Sequence, residues 1–448
     1  TNGMSGEIPT VKFIMGSRWA SYLCIQSTLV VVFCWLFKLL NSWKWAFLGM
    51  CFVGMQRGIY FFAITMHPEP PMLLGIVISI FAATEFILRP RFIFLFLLSF
   101  GLALAISSKL QAFLLLPWAG IILILGKWIG RIRIYTLFRW SIGSLFTLLF
   151  GLFLLTPYQI IHLQRLWDGI QEERKRGALG GWDTNTDVNL LDWINYALSN
   201  ELVGYSYTLL ILIAIFIFVK QISICRKNLR EWLSKPISAL FLTNLIWVVI
   251  GAGYIFIAVE SLIARYLIHV VPSLMLISFL GVYWSTFFPK KLAHYVWLII
   301  LVILVSAGLQ QQTKHASFDF KVRKRIADRF VHVRQIVIDL KKIVPKESKI
   351  LNPLGYYVDS KWFVNASHEQ PTSYLLRQFK MVKSGDKTIE YLLMSESYPD
   401  SLKREGVSLE GSKNSPEYRE KINFWKALVE NGINGRFKIL RQYPKARL

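Results

Sequence analysis

Five places in the 448-residue sequence place chemically capable side chains in surroundings where such groups are costly. The first is Thr65-Met66-His67-Pro68-Glu69-Pro70-Pro71, which stands between two apolar runs. Prolines are expected where a helix begins, because their missing N–H is not needed there, and a carboxylate is favoured at a helix N-terminus. A tight turn therefore accounts for the prolines. His67 and Glu69 are not required by it, and together they suit a metal-ligand pair, an acceptor contact or an acid/base pair. The second place is Lys109, in Ile106-Ser107-Ser108-Lys109-Leu110. It is either a cation snorkelling to water or, with two hydroxyls at a helix start, a binding group for a lipid phosphate.

Arg265-Tyr266 opens another apolar run, with His269 and Pro272 following; an interfacial aromatic belt uses the same pair of residue types. Arg57 lies roughly nine residues inside its run, where an arginine requires a partner, either an anionic headgroup or Glu69. The fifth place is the 157–204 segment. Its Glu172-Glu173-Arg174-Lys175-Arg176 stretch reads as a solvated helical face, whereas Gly180-Gly181-Trp182-Asp183 and Asp192-Trp193 set aromatic faces beside carboxylates, as sugar rings require. Glu85 stands four residues before Arg89 and is expected to pair with it along one helix face. A Walker loop, GxGxxG, HExxH and Cys/His clusters are all missing from the sequence. The four cysteines (Cys24, Cys34, Cys51, Cys225) have neither metal-ligand spacing nor a disulfide framework.

The elements that must hold these groups are set by composition. Of the residues, 54% are hydrophobic and only 17% charged, against about 25% charged in soluble domains. The apolar residues are concentrated before residue 310, in ten runs of the length that crosses about 30 Å of hydrocarbon. These are roughly 19–37, 45–66, 70–88, 92–107, 110–126, 135–156, 205–220, 237–259, 266–285 and 294–309. The pattern predicts an all-α polytopic membrane domain over 1–309. Residues 310–448 are charged and of mixed periodicity. They are predicted to form a small α/β domain, with helices over Phe318–Val344 and Glu417–Glu430. Its expected strands are at Ser348–Leu351, Trp362–Val364, Thr388–Met394 and Phe437–Leu440.

Assigning alternate loops to opposite sides separates the charge. Lys38–Lys44, Arg89–Arg91, Lys127–Arg139, Lys220–Lys235 and Lys290-Lys291 are basic in every case, while the 67–71, 107–109 and 260–265 connections are sparse or mixed. The positive-inside rule places the first set in the cytoplasm. His67, Glu69, Lys109, Arg265, the 157–204 loop and the tail then face outward. Much of the net charge of +24 is thereby topological, and nucleic acid is set aside as a partner.

Taken in order, these stretches resemble the integral-membrane glycosyltransferases of the GT-C fold, in particular the protein O-mannosyltransferase and aminoarabinose transferase group (family 39 and its relatives). Gly16-Ser17-Arg18-Trp19-Ala20-Ser21 is similar to that group's R-x-x-S start of a second helix. Met66-His67-Pro68-Glu69-Pro70 resembles its acidic turn, and Ser108-Lys109 with Pro117 its T-K…P segment. Thr156-Pro157-Tyr158 resembles its N-P-F/Y pattern, Arg265-Tyr266 with Pro272 its R-Y…P span, and Ile343–Ile350 the start of its tail domain.

The resemblance implies transfer of a sugar, with inversion, from a polyprenyl or dolichyl phosphate to a protein, lipid or glycan acceptor on the extracytoplasmic face. The membrane would be a bacterial plasma membrane or one of the ER type. Lys109, Arg265, Tyr266 and Arg57 would contact the lipid phosphate, and Trp182 and Asp183 the sugar. His67 and Glu69 would orient the acceptor or, through Glu69, a divalent Mg or Mn ion. The implied general base, usually an Asp, belongs to a first external loop that would lie before Thr1; in Thr1–Ser17, Glu7 is the one carboxylate. Two further readings stay open: a non-catalytic membrane subunit that scaffolds partner subunits, and a transporter, although transporter sites sit at the bilayer midplane and these charges gather at the rim.

Overall fold

The computed structural model describes residues 11–63, 67–130, 132–157, 190–198, 203–258, 264–286 and 301–311. It adds isolated positions elsewhere and short stretches of the tail at 342–346, 348–351, 364–365 and 391–392. The chain divides into two compact units, one of Ile14–Phe318 and one of Asp319–Leu448 with the first thirteen residues.

In the larger unit the order is α1 (Val11–Leu40), α2 (Trp43–Gly54), α3 (Arg57–Ala63), α4 (Glu69–Leu88), α5 (Phe92–Ser108), α6 (Leu115–Gly130) and α7 (Ile134–Leu155). Then come α8 (Leu190–Leu198), α9 (Tyr205–Ile224), α10 (Leu229–Leu233), α11 (Pro236–Ala258), α12 (Ala264–Leu267), α13 (Val271–Ser285) and a helix over Leu301–Gln311. Short 3-10 turns at Leu110–Leu114 and Ile268–Val270 lead into α6 and α13. Seven of these helices are long and apolar enough to cross a bilayer, eight if the bent α2–α3 pair is one span, counted among the described residues. The chain is a multi-pass membrane protein. Of the ten expected runs, 45–66 is broken, 92–107 forms the 17-residue α5, and 294–309 is described chiefly from Leu301 onward.

Two helices form the centre. α4 packs against α5, α6 and α11, and α13 against α2, α9 and α11, so that α11 joins the two hubs. Both hubs are buried on nearly all sides, which is why they carry no clear polar stripe. Without water between helices, close packing of small residues and hydrogen bonds must supply specificity. At the α4–α5 crossing, a Cβ added to Gly75 would lie 2.5 Å from the Gly101 carbonyl oxygen and 2.6 Å from the Ala105 nitrogen. Ser79 Oγ donates to Gly75 O at 2.8 Å in the same crossing. Across the α4–α11 contact the hydroxyls of Thr84 and Thr243 meet at 2.8 Å, and Trp118 Nε1 of α6 donates to Thr243 O at 3.1 Å.

The α2–α3 break bends the chain by 75°. Gln56, fully buried, closes it: its Oε1 accepts the N–H groups of Gly58 at 2.7 Å and Ile59 at 3.2 Å, two of the donors a helix start leaves without partners. Gln56→Ala should therefore cost about 1–2 kcal/mol, while Gln56→Glu, which keeps the acceptor, should cost less. Thermal unfolding of the two variants in one detergent checks the order.

At the opposite end of α4 from Glu69, Glu85 is 1% exposed and paired with Lys38 of α1 at 2.8 Å. The expected Glu85–Arg89 pair is not formed. Arg89 has already left the helix (φ −141°, ψ 84°) and is exposed, so the spacing of four residues no longer places it on Glu85's face. Lys38 also lies 5.6 Å from the ring centres of Phe81 and Phe94, a favourable seat for an ammonium in apolar surroundings. At the same end of the helices, Arg230 donates from Nε and Nη2 to Ile129 O, both at 3.3 Å, which satisfies a C-terminal carbonyl of α6.

In the smaller unit three short strands, β1 (Lys349–Leu351), β2 (Val364–Asn365) and β3 (Tyr391–Leu392), pair in parallel in the order β2-β1-β3. The helices expected over most of Phe318–Val344 and over Glu417–Glu430, and the strand at Phe437–Leu440, lie outside the described residues.

Candidate functional site

Three polar side chains read from the sequence come together at one rim of the helical unit. Glu69 is the first residue of α4, after Pro68, with Pro70 and Pro71 completing a turn that needs no N–H partners there. Its carboxylate therefore sits on the positive end of the helix that forms one of the two hubs. Lys109 occupies the break between α5 and the Leu110–Leu114 turn. Its backbone is extended (φ −155°, ψ 132°), its N–H donates to Ala105 O at 3.1 Å, and its carbonyl accepts from Ala112 N–H at 3.0 Å. The break points the chain ends of α5 and α4 at each other. Lys109 Nζ donates to Glu69 Oε1 at 2.8 Å, and Glu69 Oε2 lies 3.0 Å from His67 Nδ1.

Burial differs sharply along this row. Glu69, in the middle, is 2% exposed, Lys109 on one side of it 18% and His67 on the other 37%, so the carboxylate is the buried centre of the row and the imidazole its outermost member. Phe62 of α3 meets the His67 ring edge-on with centroids 5.3 Å apart. The Ser107 and Ser108 hydroxyls, expected beside Lys109 at a helix start, stand instead at the end of α5, where both donate to Leu104 O, at 2.9 and 2.7 Å. Back-bonding to a carbonyl three or four residues earlier is the usual fate of a serine in an apolar helix.

Of the two partners expected for Arg57, an anionic headgroup or Glu69, the second is engaged by His67, Lys109 and its own backbone N–H. Arg57, half-buried, begins α3 at the 75° break and has interactions of its own. Its neighbour Gly58 touches Ile268 closely, so the α3 start and the 266–270 segment are side by side, and α4 packs against both. Tyr266 is half-buried in α12. The side chain of Arg265, together with Trp182 and Asp183, lies outside the described residues. The sequence singled out Gln56 in no way, because glutamine is an uncommon helix cap and the run around it is apolar.

His269, fully buried in the turn before α13, is an electrostatic neighbour of Lys109. Its ring lies edge-on to Trp247, which donates to the His269 carbonyl at 3.1 Å. Its ring faces the backbone of Gly251 and Tyr266.

Glu69 is also, from the sequence, a candidate ligand for a divalent ion. The Lys109 ammonium holds the position against Glu69 that a cation would need, and no group of three His, Cys, Asp or Glu side chains that could bind a metal gathers among the described residues. The arrangement can do two other things: present a cation to an anion when the Lys109–Glu69 pair opens, and orient an imidazole through a fixed carboxylate. In comparison with known proteins, no family model matches the chain and no curated protein matches its sequence.

Proposed function

We propose that the chain is a GT-C-type membrane glycosyltransferase that takes a sugar from a polyprenyl or dolichyl phosphate and transfers it, with inversion, to an acceptor on the extracytoplasmic face. In this reading the ten apolar runs build the transferase core, and the tail is an extracytoplasmic α/β domain. The observation that carries the proposal is the buried Lys109–Glu69 pair at the N-terminus of α4, 2.8 Å apart, on the rim whose loops are poor in basic residues. Charged groups are retained inside membrane proteins where they act on substrates or ions. Lys109, with Arg57 and Arg265, would neutralise the charge that grows on the departing lipid phosphate. Tyr266 would line its path, and Trp182 and Asp183 would meet the sugar.

One observation favours a second reading. Lys109 is already satisfied by Glu69, as in a purely structural pair, and this suits a non-catalytic subunit that scaffolds other membrane chains.

The test uses the full-length protein in nanodiscs with polyprenyl-phosphate mannose, glucose and aminoarabinose in turn, and host membranes as the acceptor source. Lys109→Ala and Glu69→Gln should each lower the release of polyprenyl phosphate by about a hundredfold or more, the range of a lost charge-stabilising group. Unchanged turnover in both overturns the site. A wild-type chain without turnover, purifying with other membrane chains, favours the scaffold.

A further inference from the structure

The His67–Glu69–Lys109 row has a direction. Glu69 is held on one oxygen by the Lys109 ammonium and meets His67 Nδ1 with the other. A carboxylate fixed in this way can only accept, so Nδ1 carries the proton that bridges them, and the lone pair of the neutral ring lies on Nε2. Nδ1 makes the one hydrogen bond that the ring forms to a described residue. At 37% exposure, with Phe62 bracing it edge-on, the ring is fixed without being closed off. A carboxylate that sets the tautomer of an imidazole and stabilises the imidazolium is the device that activates hydroxyl nucleophiles.

Resting on the transferase reading, we propose that His67 accepts the proton of the acceptor at Nε2, and that the acceptor is therefore a hydroxyl. The acceptor O–H bond breaks as its proton passes to Nε2. The oxygen's electron pair forms the new bond to the anomeric carbon. The bond from that carbon to the phosphate oxygen breaks, and its pair leaves with the lipid phosphate. The imidazolium so formed donates from Nδ1 to Glu69 and returns its proton to water. Glu69 is a positioning residue, held in turn by Lys109.

The test compares wild type with His67→Ala and His67→Gln in the full-length protein in nanodiscs, with the same three donors and host membranes. Donor affinity is measured separately by competition. His67→Ala should lower transfer by about a hundredfold or more, the range of a lost general base. Donor affinity should stay within about twofold, and added imidazole should restore about tenfold in His67→Ala but not in the larger His67→Gln. Near-wild-type transfer in His67→Ala overturns the proposal and leaves the transferase reading standing. A loss that follows donor affinity and ignores imidazole also overturns it, since His67 would then be a binding or packing residue. A wild type that neither binds nor turns over any donor overturns the transferase reading and this one together.

Discussion

Lys109→Met is expected to lower the stability of the protein by about 3–5 kcal/mol, and Lys109→Met combined with Glu69→Met to recover most of that loss. Glu69 is 2% exposed and Lys109 18%, so water screens neither well and their attraction is large for an ion pair. Their desolvation is also large. Removing only the ammonium leaves a carboxylate buried at the N-terminus of α4 with His67 alone beside it, an uncompensated charge. Removing both leaves apolar side chains of similar length in an apolar place, which is close to neutral in comparable cases. Midpoints of thermal unfolding for wild type, the two single variants and the double variant, in one detergent, form the cycle that isolates the coupling. A double variant as unstable as the sum of the singles would mean that the two groups do not hold each other. In the transferase reading the same double variant should be inactive in transfer while folded, which would separate the role of the pair in the fold from the chemistry proposed for it.

Gly75→Ala and Gly101→Ala should each cost about 3 kcal/mol, the upper part of the range for overpacking. The methyl group at Gly75 would meet the Gly101 carbonyl oxygen at 2.5 Å and the Ala105 nitrogen at 2.6 Å; that at Gly101 would meet Ser79 Oγ at 2.5 Å and the Gly75 oxygen at 2.7 Å. Most of these atoms are backbone, so no side chain can swing aside, and the axes of α4 and α5 must part. Because Lys109 ends α5 and Glu69 begins α4, a parting of the helices also draws apart the 2.8 Å pair, and activity should fall with stability. Gly120→Ala is the control. Nothing lies within 4 Å of its added Cβ, and replacing a helical glycine there should be neutral or gain about 0.5–1 kcal/mol. If all three variants unfolded at the same temperature, the crossing would be looser than its geometry states.

The membrane domain was legible in the sequence because bilayer thickness imposes one length on every apolar run, and few soluble patterns imitate ten of them. His67, Glu69 and Lys109 were legible for the converse reason: polar groups are rare at the ends of such runs, so each one draws notice. Their partners were harder. Pairing by spacing assigned Glu85 to Arg89, but the helix ends between them and the neutralising charge arrives from Lys38 on another helix. Arg57 reads as lying roughly nine residues inside one continuous run, with a headgroup or Glu69 as its partner, because the sequence shows no bend at Met55-Gln56. The break depends on a glutamine that caps from within an apolar run, a role that pattern alone does not distinguish from a tolerated polar residue. Ser107 and Ser108 read as ligand groups until their hydroxyls are seen to return to Leu104.

The 17 residues of α5 rise about 26 Å, some 4 Å short of a hydrocarbon layer of about 30 Å. Its neighbour α4, at 20 residues, is long enough to cross. A bilayer matched to α5 would be thinner than average where the helix stops at Lys109, and its headgroup phosphates would lie nearer the ammonium. The protein would then sense acyl-chain length: thin bilayers match α5 as it stands, whereas thick ones force it to tilt or the membrane to pucker around it. In the transferase reading, hydrophobic mismatch at one short helix would become a means by which membrane composition sets how easily a lipid-borne phosphate reaches the cluster.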